Sequence, residues 1–278
     1  MQTDAHDWNE WREANRAMWD ERVPLHAASD AYDHDGFRKG RDEIREFEAE
    51  EVGDVTGKRL LHLQCHMGQD TLSWARRGAA KVVGLDFSEP AIKVARGLAA
   101  DIGFGPDRAE FVVSDVYEAA AALPDRDYDI VYTGIGVLDW LPDIERWAAT
   151  AASLVAPGGF LYLAEFHPIT HVLDGDDGTR IETDYFDDRP VVTDEPGSYV
   201  DWRAETAQNL SFERMHTLGD IVSSLAATGL RIEFLHEHDV TMFHRYATLE
   251  QGEDGLFRAP KGQPRVPLMF SLKASRPA

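Results

Sequence analysis

The sequence predicts a doubly wound α/β fold, a mostly parallel sheet with helices on both faces. Three observations predict it. Short apolar runs alternate with helical periodicities from Lys58 to Glu165. Gly or Pro residues separate several of them, notably Gly57, Gly78 and Pro157-Gly158-Gly159. Two further strand patterns close the chain late, after a long polar segment, which suggests an antiparallel edge. Parallel strands need crossover connections, so strand-helix-strand repetition calls for helices packed on both sheet faces. Ligands then bind at the C-terminal ends of the strands.

The elements follow in order. Trp8, Trp11, Asn15, Met18, Trp19 and Arg22 recur at helical spacing, and Pro24 is expected to end that helix. Ser29 to Gly40 reads as a loop, and a second helix is expected over Asp42 to Glu51. Strands are expected at Arg59–Leu63, Lys81–Asp86, Ala109–Val113, Tyr128–Thr133 and Phe160–Glu165. Helices are expected at Asp70–Arg77, Glu89–Ala100 and Ile144–Val155. Residues 167–217 are rich in Asp, Gly, Pro and Thr, and are too long for a structureless loop, so a lid or added hairpin is expected there. A helix over Leu218–Thr228 and strands at Leu230–His236 and Pro267–Ala274 complete the reading. Residues 1–56 then form an N-terminal helical cap, and 57–278 the main domain with 167–217 inserted.

Composition narrows the function classes. The formal net charge is −22, and only six lysines occur, at 39, 58, 81, 93, 261 and 273. Such a surface repels phosphate backbones, so nucleic acid is not the expected substrate. An acidic, lysine-poor surface suits either a salt-rich host or an acidic mesophile from an arginine-rich genome. No apolar run is long enough to span a bilayer, and the polar N-terminus does not read as a signal peptide. The single cysteine, Cys65, fits a reducing compartment, and a cytoplasmic protein is expected. A small buried residue is the expected role of Cys65, rather than a nucleophile.

The turn after the first strand reads His62-Leu63-Gln64-Cys65-His66-Met67-Gly68-Gln69-Asp70-Thr71, and the next strand ends in Asp86. That is the layout of a nucleoside-binding βαβ unit, with the acid on the ribose hydroxyls. A carboxylate accepts two hydrogen bonds at once. Asp86 could instead cap the next helix, but Ser88 is as good a cap. The turn is poor in glycine. A dinucleotide needs bare backbone at its pyrophosphate, so a cofactor without phosphates fits better. Gly68 is the residue expected to allow close approach. Asp115, after the third strand, suits an adenine amino group, or else caps a helix. Gly134 and its neighbours leave room for an amino-acid tail.

These residues resemble the class I S-adenosylmethionine-dependent methyltransferase family from Gly57 to Ala164, with the family's closing strand pair at the C-terminus. The family's first turn usually reads acid-x-Gly-x-Gly-x-Gly. Here His62, Gln64 and His66 depart from it, in the manner of a small-molecule subgroup with a Leu-Gln-Cys-His turn. Asp86, Asp115, Gly134 and Pro157-Gly158-Gly159 match. The resemblance implies a Rossmann-like seven-stranded sheet whose last strand is antiparallel. It implies S-adenosylmethionine as cofactor and S-adenosylhomocysteine as product. Gln64, Cys65, His66, Gly68, Asp86, Phe87, Ser88, Asp115, Val116 and Gly134 are the candidate cofactor-binding residues.

Methyl transfer is an in-line displacement, so the protein chiefly aligns the nucleophile and excludes water. A base helps when the acceptor carries a proton. His167, His216 and Tyr32 are the candidate catalytic residues, with His26, Asp139 and Trp140 as further pocket candidates. Trp19, Tyr32 and Phe37 could cover the cofactor, and aromatic faces attract a sulfonium. No metal is expected: His62 and His66 should not converge, and His236-Glu237-His238 more often faces solvent. The leading expectation is N-, O- or C-methylation of a small molecule. A nicotinamide-dependent oxidoreductase and a non-catalytic S-adenosylmethionine-binding protein are the alternatives.

Overall fold

The computed structural model describes residues 5–123 and 125–278. The N-terminal segment supplies α1 (Ala5–Ala28), α2 (His34–Arg38) and α3 (Glu46–Val52). The alternating region supplies β1 (Arg59–Leu63), α4 (Gln69–Arg76), β2 (Lys81–Asp86), α5 (Glu89–Asp101) and β3 (Ala109–Val113). It continues with α6 (Ala119–Ala122), β4 (Tyr128–Thr133), α7 (Ile144–Ser153) and β5 (Val155–Phe166). After β5 come β6 (Val191–Asp194), β7 (Leu210–Glu213), α8 (Leu218–Ala227) and β8 (Arg231–His238). Three short strands, β9 (Val240–Thr241), β10 (Glu250–Gln251) and β11 (Phe257–Arg258), precede β12 (Met269–Ser275).

Seven strands form one sheet in the order β3-β2-β1-β4-β5-β12-β8. The pairs among β1 to β5 are parallel. β12 runs antiparallel to both β5 and β8. This is the Rossmann-like sheet expected from the sequence, with its antiparallel edge. The order reverses beside β1, because β2 lies on one side and β4 on the other. That is the topological switch point at which open α/β sheets bind ligands.

Strand alternation divides the core into two layers. Leu61 and Leu63 of β1 join Val131, Leu161, Leu163, Trp147 and Leu225 on the α7–α8 side. Leu60 joins Val82, Ile130, Tyr132, Leu72 and Ile92 on the α4–α5 side. Each fully buried leucine stabilises the fold by about 1.5–3 kcal/mol relative to exposure. Gly159 is required by a close approach: a Cβ there would stand 2.7 Å from the carbonyl oxygen of Asp129.

Four local features differ from the sequence reading. α1 continues through Pro24 to Ala28. Tertiary packing on both sides of the proline outweighs the lost hydrogen bond: Met18 and Val23 are buried, and so is His26. The Ser29–Gly40 stretch holds α2, started by Asp33, whose carboxylate accepts the Gly36 N–H at 2.9 Å. β5 begins at Val155, before the Pro157-Gly158-Gly159 turn. Finally, β10, β11 and β9 form a small sheet that short, weakly patterned segments did not announce.

α1 is fastened to the segment after β5. Asn15 Nδ2 donates to the Phe212 carbonyl, and Asn15 Oδ1 accepts the Phe212 N–H, both at 2.8 Å. Arg22 donates to the Gln208 carbonyl at 2.8 Å. The Glu21 carboxylate accepts the N–H groups of Ala207 and Gln208. Trp11 stacks on Phe212 with ring centroids 5.6 Å apart. The side chain of Asn15 thus replaces a strand partner along β7.

Candidate functional site

The turn between β1 and α4 carries a backbone signature. Gln64 has φ +58° and His66 has φ +47°, while Gly68 has φ +76°. Left-handed backbone is strained for residues with a Cβ, at roughly 1–2 kcal/mol each. The turn keeps a glycine-type path with side chains added to it. The His66 N–H donates to Asp86 Oδ2 at 2.8 Å. Asp86 Oδ1 accepts the Ser88 N–H at 2.9 Å. Ser88 itself caps α5, accepting the Ala91 N–H at 3.3 Å. Asp86 is therefore oriented by two backbone donors and is not the cap of α5. Burial pushes its carboxyl up to about 6, against the pull of those donors.

α1 lies over this edge. Val23 packs with Met67 and Ala91, the residues flanking the β1 turn and the start of α5. Arg12 donates to Asp115 Oδ2 at 2.8 Å. Asp115 Oδ1 accepts the Tyr117 N–H, capping a single 3₁₀ turn over Val116–Glu118. Trp19 meets His66 at 5.6 Å, Trp140 at 5.2 Å and His26 at 5.7 Å between ring centroids. His26 Nδ1 lies 3.1 Å from His66 Nε2, and His26 Nε2 lies 2.7 Å from Ser198 Oγ. Tyr32 stacks on His26 at 5.4 Å, and its hydroxyl pairs with that of Tyr199. Burial holds His26 near 4 and His66 near 3, so both rings are neutral at pH 7. Burial likewise raises the Tyr32 hydroxyl well above its ordinary value.

A second polar group gathers where β1 and β4 end. His62 Nδ1 lies 2.8 Å from Thr71 Oγ1, and burial holds this ring near 3. A Cβ at Gly134 would stand 3.3 Å from His62 Nε2 and 3.7 Å from Asp70 Oδ2, so glycine there keeps space open beside both. Arg45 donates to Glu48 at 2.8 Å and lies 3.7 Å from Asp70. The Tyr132 hydroxyl donates to the other Glu48 oxygen at 2.6 Å. Burial raises Asp70 to about 7, while Arg45 opposes the shift. Gln64 Nε2 donates to the Val137 carbonyl at 3.2 Å. Glu165, buried at the end of β5, accepts N–H groups from Gly136, Val137, Leu138 and Phe166. It thereby fixes the loop that carries Gln64's partner.

The structure brings Tyr32, Gln64, His66, Asp86, Asp115 and Gly134 to one sheet edge, with Phe87 beside Asp86. It separates others from it. The Cys65 thiol sits in the core, where a Cβ at Gly84 would meet it at 2.8 Å. Val116 is likewise a core side chain. Gly68 is demanded by packing, since a Cβ there would stand 2.6 Å from Phe111 and 2.8 Å from Ala95. His167 Nδ1 accepts the Ile169 N–H, and its Nε2 lies 3.0 Å from Glu237. The Nε2 of His216 bonds the Leu141 carbonyl at 2.7 Å. These two histidines serve a local turn and a loop, and their bonds do not reach the Tyr32 group.

Several residues escaped the sequence reading. Ser198 and Tyr199 lie over 170 positions from His26, with nothing local to link them. Glu165 did carry a signal, an acid closing the otherwise apolar run Phe160–Ala164. Among the described residues, Asp20 Oδ1, Gln64 Oε1 and Thr133 Oγ1 are buried without a hydrogen-bond partner. Buried polar atoms are ordinarily satisfied. Three orphans, on α1, just after β1 and at the end of β4, fit a polar ligand with hydroxyl and ammonium donors, as an adenosyl amino acid has.

Comparison with known proteins places this edge in context. Residues 60–159 match the family model described as a methyltransferase domain. A ubiquinone biosynthesis O-methyltransferase of Klebsiella pneumoniae is 35% identical over 116 residues, 42% of this chain and 46% of that relative. The chain thus spans about half the length of the curated relatives it matches. An S-adenosylmethionine-dependent methyltransferase from Mesorhizobium loti superposes with TM-score 0.57 at 22% identity, covering 82% of this chain and 94% of that one. One from Clostridium acetobutylicum gives TM-score 0.56 at 13% identity, covering 92% and 96%. The solved structures show the fold.

Proposed function

We propose that this chain, which carries a class I S-adenosylmethionine-dependent methyltransferase domain, transfers a methyl group from S-adenosylmethionine to a small-molecule acceptor. Asp86 carries the reading. It stands at the end of β2, oriented by the His66 and Ser88 N–H groups, beside a turn that keeps left-handed backbone without its glycines. Asp86 would hold the ribose, and Asp115 the adenine amino group once Arg12 yields. Gln64, Thr133 and the open space at Gly134 would hold the amino-acid tail. When bound, the cofactor supplies a methyl carbon activated by a sulfonium sulfur.

The chain's own residues then align the acceptor and keep water out. Trp19, beside the His66 ring, and Trp140, against Trp19, supply aromatic rings that suit a sulfonium. His26 and His66 are neutral at pH 7 and weakly basic, so the pair can orient an acceptor hydroxyl or amine by hydrogen bonding without carrying its proton. Tyr32 and Tyr199 close the same group. α1 and the β6–β7 segment would form the outer wall, as a cap and an inserted lid. The charge of −22 favours a small acceptor over a nucleic acid. Among the described residues, no helix is long and apolar enough to cross a membrane.

Isothermal titration with S-adenosylhomocysteine tests the proposal. Micromolar binding supports it. A folded, ligand-free sample that binds nothing in either low or high salt would overturn it.

A further inference from the structure

α1 crosses the strand ends in a fixed order. Arg12 pairs with Asp115 after β3, and two to three helical turns later come Asp20 and Val23. Val23 packs against Ala91, in the first turn after Asp86. Asp20, three residues earlier, lies on the same face of α1. Its neighbour Trp19 packs on His66, whose N–H binds Asp86. Asp20 Oδ1 is buried and has no hydrogen-bond partner among the described residues. Asp20 also lies near enough to Asp86 to add to the upward push that burial exerts on its carboxyl.

Resting on the cofactor reading above, we infer that Asp20 is a cofactor-binding residue that takes one ribose hydroxyl while Asp86 takes the other. Both Asp86 oxygens already accept a backbone N–H, whereas Asp20 Oδ1 accepts none. Two facing carboxylates repel, and a vicinal diol places an O–H donor toward each. The diol therefore joins α1 to β2. The N-terminal helix becomes a wall of the nucleoside site as well as a cover over it.

The test is titration of wild type and Asp20→Ala with S-adenosylhomocysteine and with its 2′,3′-dideoxy analogue, with melting curves confirming that both proteins are folded. Should Asp20→Ala melt early, Asp20→Asn replaces it. The variant should bind S-adenosylhomocysteine at least tenfold more weakly than wild type, and the two proteins should bind the diol-free analogue alike. Equal affinity of both proteins for S-adenosylhomocysteine overturns the assignment, as does an equal loss for both ligands. Failure of folded wild type to bind S-adenosylhomocysteine overturns the cofactor reading itself, and the assignment with it.

Discussion

The backbone N–H of His66 donates to Asp86 Oδ2 at 2.8 Å, tying the turn after β1 to the end of β2. One bond thus fixes the position of the turn against the pose of the carboxylate. Asp86→Ala removes a partner from buried hydrogen bonds, and S-adenosylhomocysteine binding should weaken by about 1–3 kcal/mol. Unchanged affinity in a folded variant would refute the ribose role.

Gln64 offers a test that separates stability from binding. Its φ of +58° is strained for a residue with a Cβ, and glycine relieves that strain. The greater entropy of unfolded glycine and the lost bond to the Val137 carbonyl offset the gain, leaving Gln64→Gly within about 1 kcal/mol of wild type in stability. The variant also loses Gln64 Oε1, the orphan acceptor at the proposed tail site, so cofactor affinity should fall. Chemical denaturation and titration together check this. A folded variant that binds as well as wild type would leave Gln64 without a binding role.

His62 should make stability depend on pH. Burial holds it near 3, below the ordinary 6.5. Between those values the unfolded chain takes up a proton that the folded chain refuses. Its contribution is therefore present above pH 6.5 and is lost as pH falls toward 3. Relative to His62→Gln, wild type should lose up to about 1.4 kcal/mol per pH unit below 6.5. Urea unfolding of both proteins at pH 7.5 and 5.5 measures the gap, and a gap that stays constant contradicts the buried, neutral ring.

Asn15 holds α1 to β7 through both polar groups of the Phe212 backbone. Asn15→Ala leaves those groups without partners and should destabilise the attachment by about 1–3 kcal/mol. Hydrogen exchange should then quicken together in residues 5–28 and 191–213, while the central strands keep their protection. Faster exchange in only one of the two segments would show that they do not move as a unit.

Most of the fold was legible because it rests on local signals. The parallel strands are short apolar runs, and their boundaries at Arg59–Leu63, Lys81–Asp86, Ala109–Val113 and Tyr128–Thr133 are those of the structure. That Ser88 and not Asp86 caps α5 was legible too, since Ser88 is a competent cap one residue before the helix. The histidines were harder. His167 and His216 stand near the right strand ends, but their rings are spent on Glu237, the Ile169 N–H and the Leu141 carbonyl. Side-chain direction and partner choice are not encoded in position along the chain.

By itself, then, the sequence determined the alternating α/β architecture, the antiparallel edge and the acid at the end of β2. Hydrophobic period, turn chemistry and capping are properties of neighbouring residues. Only the tertiary structure decided that α1 runs through Pro24 and docks on β7, that His26 meets His66 and Ser198, and that Asp20 Oδ1 is buried without a partner. Those relationships join residues as many as 197 positions apart. Their energies come from burial and from pairing polar groups across that distance, which no local pattern records.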